Sequence, residues 1–313
     1  VTHRSGIAPF VRADFGDATS VAEMTKAVGS QPQSFEPGAR QEYGNGGYVV
    51  LGRVVEVVSG QDYATYVSDR IYRPAGMTSS GSVRKGERDP NLATGYFPAD
   101  TQGRPVMGGQ TGIFGSHPPE PGNPAGGGYS TATDLFRFSR ALRGGRLLDA
   151  RMTDHVLNGT FSGQFGPRFG FALREQMAGT RRFVGNGGGA PGVNAEFRFE
   201  PSGDYTIVVL ANSSPPAATQ LLSDIMWTSS GRATPRQPQV DDGRRANPQQ
   251  GREPTGAPVR GDAAQPGGAR GVRANCGRQG GGWMRPTRRP GNVITFIITL
   301  DIMYGVLRAQ GLR

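Results

Sequence analysis

"VNAEFRFEPSGDYTIVVLAN" (Val193–Asn212) reads as two strands around one turn. Phe197 and Phe199 alternate with Arg198 and Glu200, the period of a strand with one face in a core. Pro201-Ser202-Gly203-Asp204 supply the turn. The second half, through "TIVVLA", is apolar almost throughout and predicts a central strand. Two more strands precede the pair, "FGFALREQM" (Phe169–Met177) and "RRFVGNG" (Arg181–Gly187). A short helix, Thr219–Trp227, follows it.

Toward the N-terminus the period becomes helical. Ser20 and Glu23 form a capping box for a helix over Ser20–Val28. "GYVVLGRVVEVVSG" (Gly47–Gly60) is apolar on nearly all sides and suits a buried helix stopped at Ser59-Gly60. Tyr63, Tyr66, Val67 and Ile71 continue at helical spacing until Pro74 ends the run. Residues 78–128 are poor in apolar side chains, a long irregular stretch of the functional or mobile kind. Thr131 and Asp134 read as a second capping box, ahead of Leu135, Phe138 and Leu142 on one face. Helices first, then an antiparallel meander with a helix behind it, make the fold class α+β.

Of the 313 residues, 50 are Gly and 24 Pro, and hydrophobic residues make up 35%. The formal charge of +10 is unevenly spread. Basic residues exceed acidic ones by about one in 1–229 and by about nine in 230–313. The basic balance therefore belongs to the tail and says little about what the rest binds. From 230 to 292 the composition falls to Gly, Pro, Arg, Gln and Ala, too apolar-poor to offset ordering entropy, so disorder is expected. "VITFIITLDIMYGVL" (Val293–Leu307) is apolar again but short for a membrane span and interrupted by Asp301. A core helix, an interfacial or membrane anchor and an edge strand stay open for it. Cys276 is the only cysteine, which excludes an intrachain disulfide and a cysteine metal site. No carboxylate–histidine cluster has metal spacing, and no cofactor is expected. His3 and His155 read as surface or structural groups. Ser116-His117 lacks a nucleophile elbow and does not read as a triad. The chain opens Val-Thr-His, with no export signal at this start.

Within the helical part, "PGARQEYGNGGYVVLGRVVEVVSGQDYATYVSDRIYRPAGM" (Pro37–Met77) resembles the middle of the serine β-lactamase-related family. That family includes class C β-lactamases, D-alanyl-D-alanine carboxypeptidases and related esterases. "THRSGI" (Thr2–Ile7) is similar to its His-Thr-Ser-Gly segment, and "GGYSTATDLFRF" to its Gly-Gly-x-x-Ser-Thr-x-x-Asp-Leu segment. "GNGGGAPG" (Gly185–Gly192), followed by "VVLAN", stands at its third motif and last strands. The four segments keep family order over residues 1–229.

The resemblance implies acyl transfer on a β-lactam, a D-Ala peptide or an ester. It implies an antiparallel sheet flanked by helices, with a mostly helical lobe and the site between them. Tyr43 would be the base and Asn45 would position substrate. Asn186, Gly187 and Gly188 would form the third-motif wall. The partner would be a small-molecule or peptidoglycan-type substrate, and the location periplasmic or extracellular. The family's nucleophile is a serine with a lysine three residues later on a packed helix, upstream of the His-Thr-Ser-Gly segment. Here that segment begins at residue 2, so the helix is expected before residue 1 and the 313 residues are expected to be inactive. Lys26 and Lys85 are the only lysines. Lys26 has Glu23 where serine is needed. Ser82 and Lys85 match the pattern inside "SSGSVRKGERDP", a glycine- and charge-flanked loop rather than a helix. Gly44 replaces the usual serine of Tyr-Ser-Asn, and Asn186 stands where the third motif has lysine or histidine. Two other readings remain: a non-catalytic ligand-binding relative, and an interaction protein acting through its basic tail. Nucleic acid is the weaker partner for that tail, because aromatics are nearly absent from it.

Overall fold

A computed structural model describes residues 2–9, 20–83, 89–100, 102, 114–117, 122–158, 160–163, 166–170, 173–229 and 294–295. The tail 230–292, Cys276, Lys85 and all of 293–313 except Ile294 and Thr295 lie outside the described residues. So do the expectations of disorder and of a membrane segment that fall on them. Among the described residues no helix is long and apolar enough to cross a membrane.

The chain starts with helices. The first, α1 (Val21–Gly29), carries the expected capping box, with Ser20 and Glu23 bonding each other's backbone N–H at 3.2 and 3.0 Å. Next, α2 (Gly46–Ser59) stops where Gly60 turns left-handed at φ 69°. It is less buried than its composition suggests. Val49 and Val55 are sealed in the core, but Val54, Val57 and Val58 face solvent. The run beyond it is α3 (Tyr63–Val67), a π turn (Ser68–Tyr72) and α4 (Arg73–Ala75). Pro74 sits inside the last turn, and Gly76 at φ 73° ends the helix in place of Pro74. The wide π turn is consistent with the proline, whose ring crowds the carbonyl four residues back.

Among the described residues of 78–128, β1 (Gly95–Pro98) pairs antiparallel with β2 (Phe114–His117). Then β3 (Tyr129–Ser130) leads into α5 (Ala132–Arg143) and α6 (Ala150–Asn158). Thr131 caps α5 by accepting from Asp134 N–H at 3.1 Å, as expected. Asp134 does not close the box. Its fully buried carboxylate accepts from Ser79 N–H at 2.7 Å, Ser80 Oγ at 2.8 Å and Arg137 at 2.9 Å. Ser80 also meets Ser130 Oγ at 2.8 Å. The pull of those donors exceeds that of a single backbone amide.

The main sheet is a six-stranded antiparallel meander in sequence order. Its strands are β4 (Thr160–Gly163), β5 (Gly166–Gly170), β6 (Arg174–Ala178), β7 (Arg181–Ala190), β8 (Val193–Phe199) and β9 (Thr206–Ala211). The expected strand Phe169–Met177 is divided between β5 and β6. The closing helix is α7 (Ala217–Ser229), and β10 (Ile294–Thr295) pairs with β3.

Both faces of the sheet are covered. Val184, Ala195, Phe197 and Phe199 join the core shared with α1 to α6. Phe183 and Val209 pack on the opposite face under Ala218, Leu222 and Met226 of α7. Two expectations change. Arg198 is buried rather than outward, because α7 lies over its face. It is held by Glu196 at 3.0 Å and by Gln176. And β9, expected to be central, is the last strand of the sheet among the described residues. Its apolar run reflects cover on two faces, not pairing on two edges.

Candidate active site

The Tyr43–Asn45 loop is set by the helix it precedes. The Asn45 carbonyl accepts the first N–H groups of α2, from Tyr48 at 3.0 Å and Val49 at 3.1 Å. Its side chain makes no cap bond and instead accepts the Tyr43 hydroxyl at 3.2 Å. A helix start thus fixes the amide that holds the phenol. The Tyr43 side chain itself is half-exposed.

Residues 2–9 press on this loop. A Cβ on Gly44 would lie 2.9 Å from Pro9 Cα, and one on Gly46 would lie 2.6 Å from Ala8 O. Glycine at 44 is therefore a packing requirement here as well as a lost hydroxyl. His3 accepts from Gly44 N–H at 3.4 Å, and its ring lies 4.9 Å from that of Tyr43 and 5.1 Å from that of Tyr48. Burial holds the imidazole neutral, its pKa lowered to about 4.

Desolvation raises the Tyr43 phenol above its ordinary range, and the Arg174 guanidinium pulls it the other way. A raised phenol stays protonated at neutral pH, and a stronger nearby cation is needed before it can take a proton.

The third motif is on β7. Asn186 and Gly188 pair with Phe197 and Ala195, so they share the face that packs on the helical layer. The Asn186 carboxamide oxygen accepts from Gly187 N–H at 2.9 Å. Gly187 turns to the other face, over Glu196, whose Oε2 would lie 2.0 Å from a Cβ there. Gly185 pairs with both Arg174 and Arg198, so it separates two guanidinium groups across three strands. The Arg174 Nε is buried without a hydrogen-bond partner among the described residues.

Arg174 shares the Gly185 and Arg198 face of the sheet, not the Asn186 and Gly188 face. It neighbours the third motif on β6, and its charge reaches Tyr43 and His3 on the helical side. Sequence reasoning missed it, since nothing marks one arginine among so many. His3 was taken as structural, although the His-Thr-Ser-Gly likeness was its signal. Ser82 Oγ accepts from Gly122 N–H at 2.8 Å, a loop-to-loop tie. Among the described residues no group of three His, Cys, Asp or Glu could hold a metal ion.

The family profile described as Beta-lactamase matches residues 1–227. The chain belongs to the β-lactamase family. This β-lactamase-family chain is 26% identical over 213 residues to a Bacillus subtilis protein that carries the name penicillin-binding protein, covering 68% of this chain and 49% of that protein. Among solved structures, the penicillin-binding protein of Bacillus halodurans superposes with a TM-score of 0.62 at 27% identity. That match covers 72% of this chain and 69% of the other. The D-amino acid amidase of Ochrobactrum anthropi, at 22% identity, TM-score 0.60 and coverage of 74% and 70%, shares the fold. The chain spans about half the length or less of the first curated relatives it matches, 49% and 36%. The β-lactamase-family fold accounts for the order of the four sequence segments and for the sheet with helices on both sides.

Proposed function

We propose that residues 1–229 form the substrate-holding walls of a serine acyl-transfer site for peptidoglycan-type substrates, a D-Ala peptide or a β-lactam. Tyr43 is the proton acceptor and Asn45 its positioner. Asn186 and Gly188 line the opposite wall. The observation that carries this reading is Arg174. It is a cation with no carboxylate partner among the described residues, and it acts on Tyr43 from the strand beside the third motif. Asn186 cannot supply charge where the family places lysine or histidine, and Arg174, on the neighbouring strand, is the cation whose charge acts on Tyr43. The penicillin-binding relatives support the substrate class.

A phenol raised in pKa needs the lysine of a Ser-x-x-Lys pair beside it to act as base. The 313 residues hold two lysines, of which Lys85, three residues after Ser82, lies outside the described residues. Lys26 follows Glu23 on α1. Binding without acylation is the expected behaviour of this chain. The test pairs calorimetry of a β-lactam or a D-Ala-D-Ala peptide with intact mass after fluorescent penicillin. Saturable binding, weakened about tenfold or more by Arg174→Gln, supports the reading. No binding would overturn it, and a stoichiometric adduct would overturn the assignment of the nucleophile.

A further inference from the structure

We infer that His3 is a positioning residue, whose neutral ring clamps the Tyr43–Asn45 loop in place and lets it go when protonated. This rests on the reading of that loop as the site. Its test reads the loop and not turnover, so either can fail alone.

Among the described residues, His3 alone combines a positive φ, 55°, with a side chain larger than glycine's. A left-handed residue of this kind is strained and persists where its surroundings over-determine it. Here they do. The His3 carbonyl accepts from Glu42 N–H at 2.9 Å, while Nδ1 meets Gly44 N–H at 3.4 Å. Its neighbours repeat the pattern. Thr2 O accepts from the Gln41 amide at 3.0 Å, and Arg4 O accepts from Gly38 N–H at 2.8 Å. Three successive carbonyls of the segment thus grip residues 38–42. The His3 ring then closes over the residue that follows Tyr43, with the tyrosine ring against it.

The ring has little room to be anything but neutral. It lies between the rings of Tyr43 and Tyr48, tilted to them by 39° and 56°, and an imidazolium offers two donors and no acceptor to Gly44 N–H. Among the described residues the charged groups around it are the Glu42 carboxylate, held by Arg40 at 2.9 Å, the Arg174 guanidinium and exposed Arg4. Burial opposes a second proton most strongly and Arg174 opposes it too, while a backbone contact with Gly44 favours it more weakly than burial opposes it. A cavity of about 20 Å³, room for one water, is lined by His3, Ser5, Phe35, Glu42 and Tyr48. A charged imidazole has to leave its place between the tyrosines to be fully hydrated, and that movement withdraws the clamp.

The experiment is an NMR titration of the full 313-residue chain from pH 8 to 4. It follows His3 Cε1–H, the Gly44 amide and the Tyr43 ring. The expected result is a His3 midpoint far below 6.5, near 4, with Gly44 and Tyr43 moving at that same midpoint. His3→Gln, which keeps a neutral acceptor, leaves both signals near their starting positions and removes their acid movement. His3→Phe, which keeps an aromatic ring and loses the nitrogen, shifts Gly44 at every pH. A His3 midpoint near 6.5 would overturn the proposal. So would Gly44 and Tyr43 signals that stay fixed while His3 titrates, or an unchanged acid response in His3→Gln. The wild-type titration decides alone if a variant does not fold.

Discussion

Single glycines decide much of the site. Gly44→Ser would restore the family's usual residue, yet its Cβ meets Pro9 backbone at 2.9 Å. The substitution is expected to lower stability by about 1–3 kcal/mol, read from urea unfolding. Gly187→Ala is expected to cost more, about 3 kcal/mol or above. The new methyl group collides with the Glu196 carboxylate and displaces it from buried Arg198. Unfolding that matches wild type in both variants would show that residues 8–9 and 196–198 yield easily. Neither glycine declared its role in the sequence. A serine-to-glycine change reads as a lost hydroxyl until the backbone crossing it is known. The place of Asn45 at the start of α2 was more legible, because a Tyr-x-Asn before an apolar helix carries its own context. Arg174 was not, because its importance comes from a strand pairing and from Tyr43, 131 positions away in the chain.

Among the elements, most helix ends and the buried face of α5 were readable, but the faces of α2 were not. Capping chemistry is local, so Ser20 with Glu23 and the Gly60 stop followed from a few residues. The surroundings of α2 are not local. Its valines looked uniformly buried, but Val54, Val57 and Val58 face out. Val55→Ala is therefore expected to cost about 2 kcal/mol, whereas Val54→Thr and Val57→Thr stay within about 0.5 kcal/mol of wild type. The same chemical denaturation series separates the two groups, and equal losses would show that α2 is covered on both sides. Capping logic misjudged Asp134 for a related reason. Its partners at Ser79 and Ser80 lie more than fifty residues earlier. The strands of the meander were legible from alternation and turns, but their exposure depended on where α7 lay.

For the whole molecule, acid is the informative perturbation. The His3 imidazole is neutral in the fold down to about pH 4, while an unfolded chain takes up that proton near 6.5. The unfolded state thus binds more protons between these values. Stability from this residue is complete above 6.5 and is lost as pH falls toward 4. His3→Gln should flatten that part of the stability curve relative to wild type, measured by urea midpoints at several pH values. Identical slopes would argue against a buried neutral ring. The exposed valines of α2 and the half-covered side chains of β9 also predict a chain that binds anilinonaphthalene sulfonate while folded. Polar substitution at Val54 and Val57 should reduce that signal.

The position of β9 carries one more consequence. Among the described residues β9 is an outermost strand without lysine, proline or a bulge, and only its end is tied, by Tyr96 N–H to the Asn212 carbonyl at 2.9 Å. Two copies brought together there by a two-fold axis would run antiparallel, edge against edge. The six-stranded sheet would then continue from one molecule into the other as a single sheet with twice the strands.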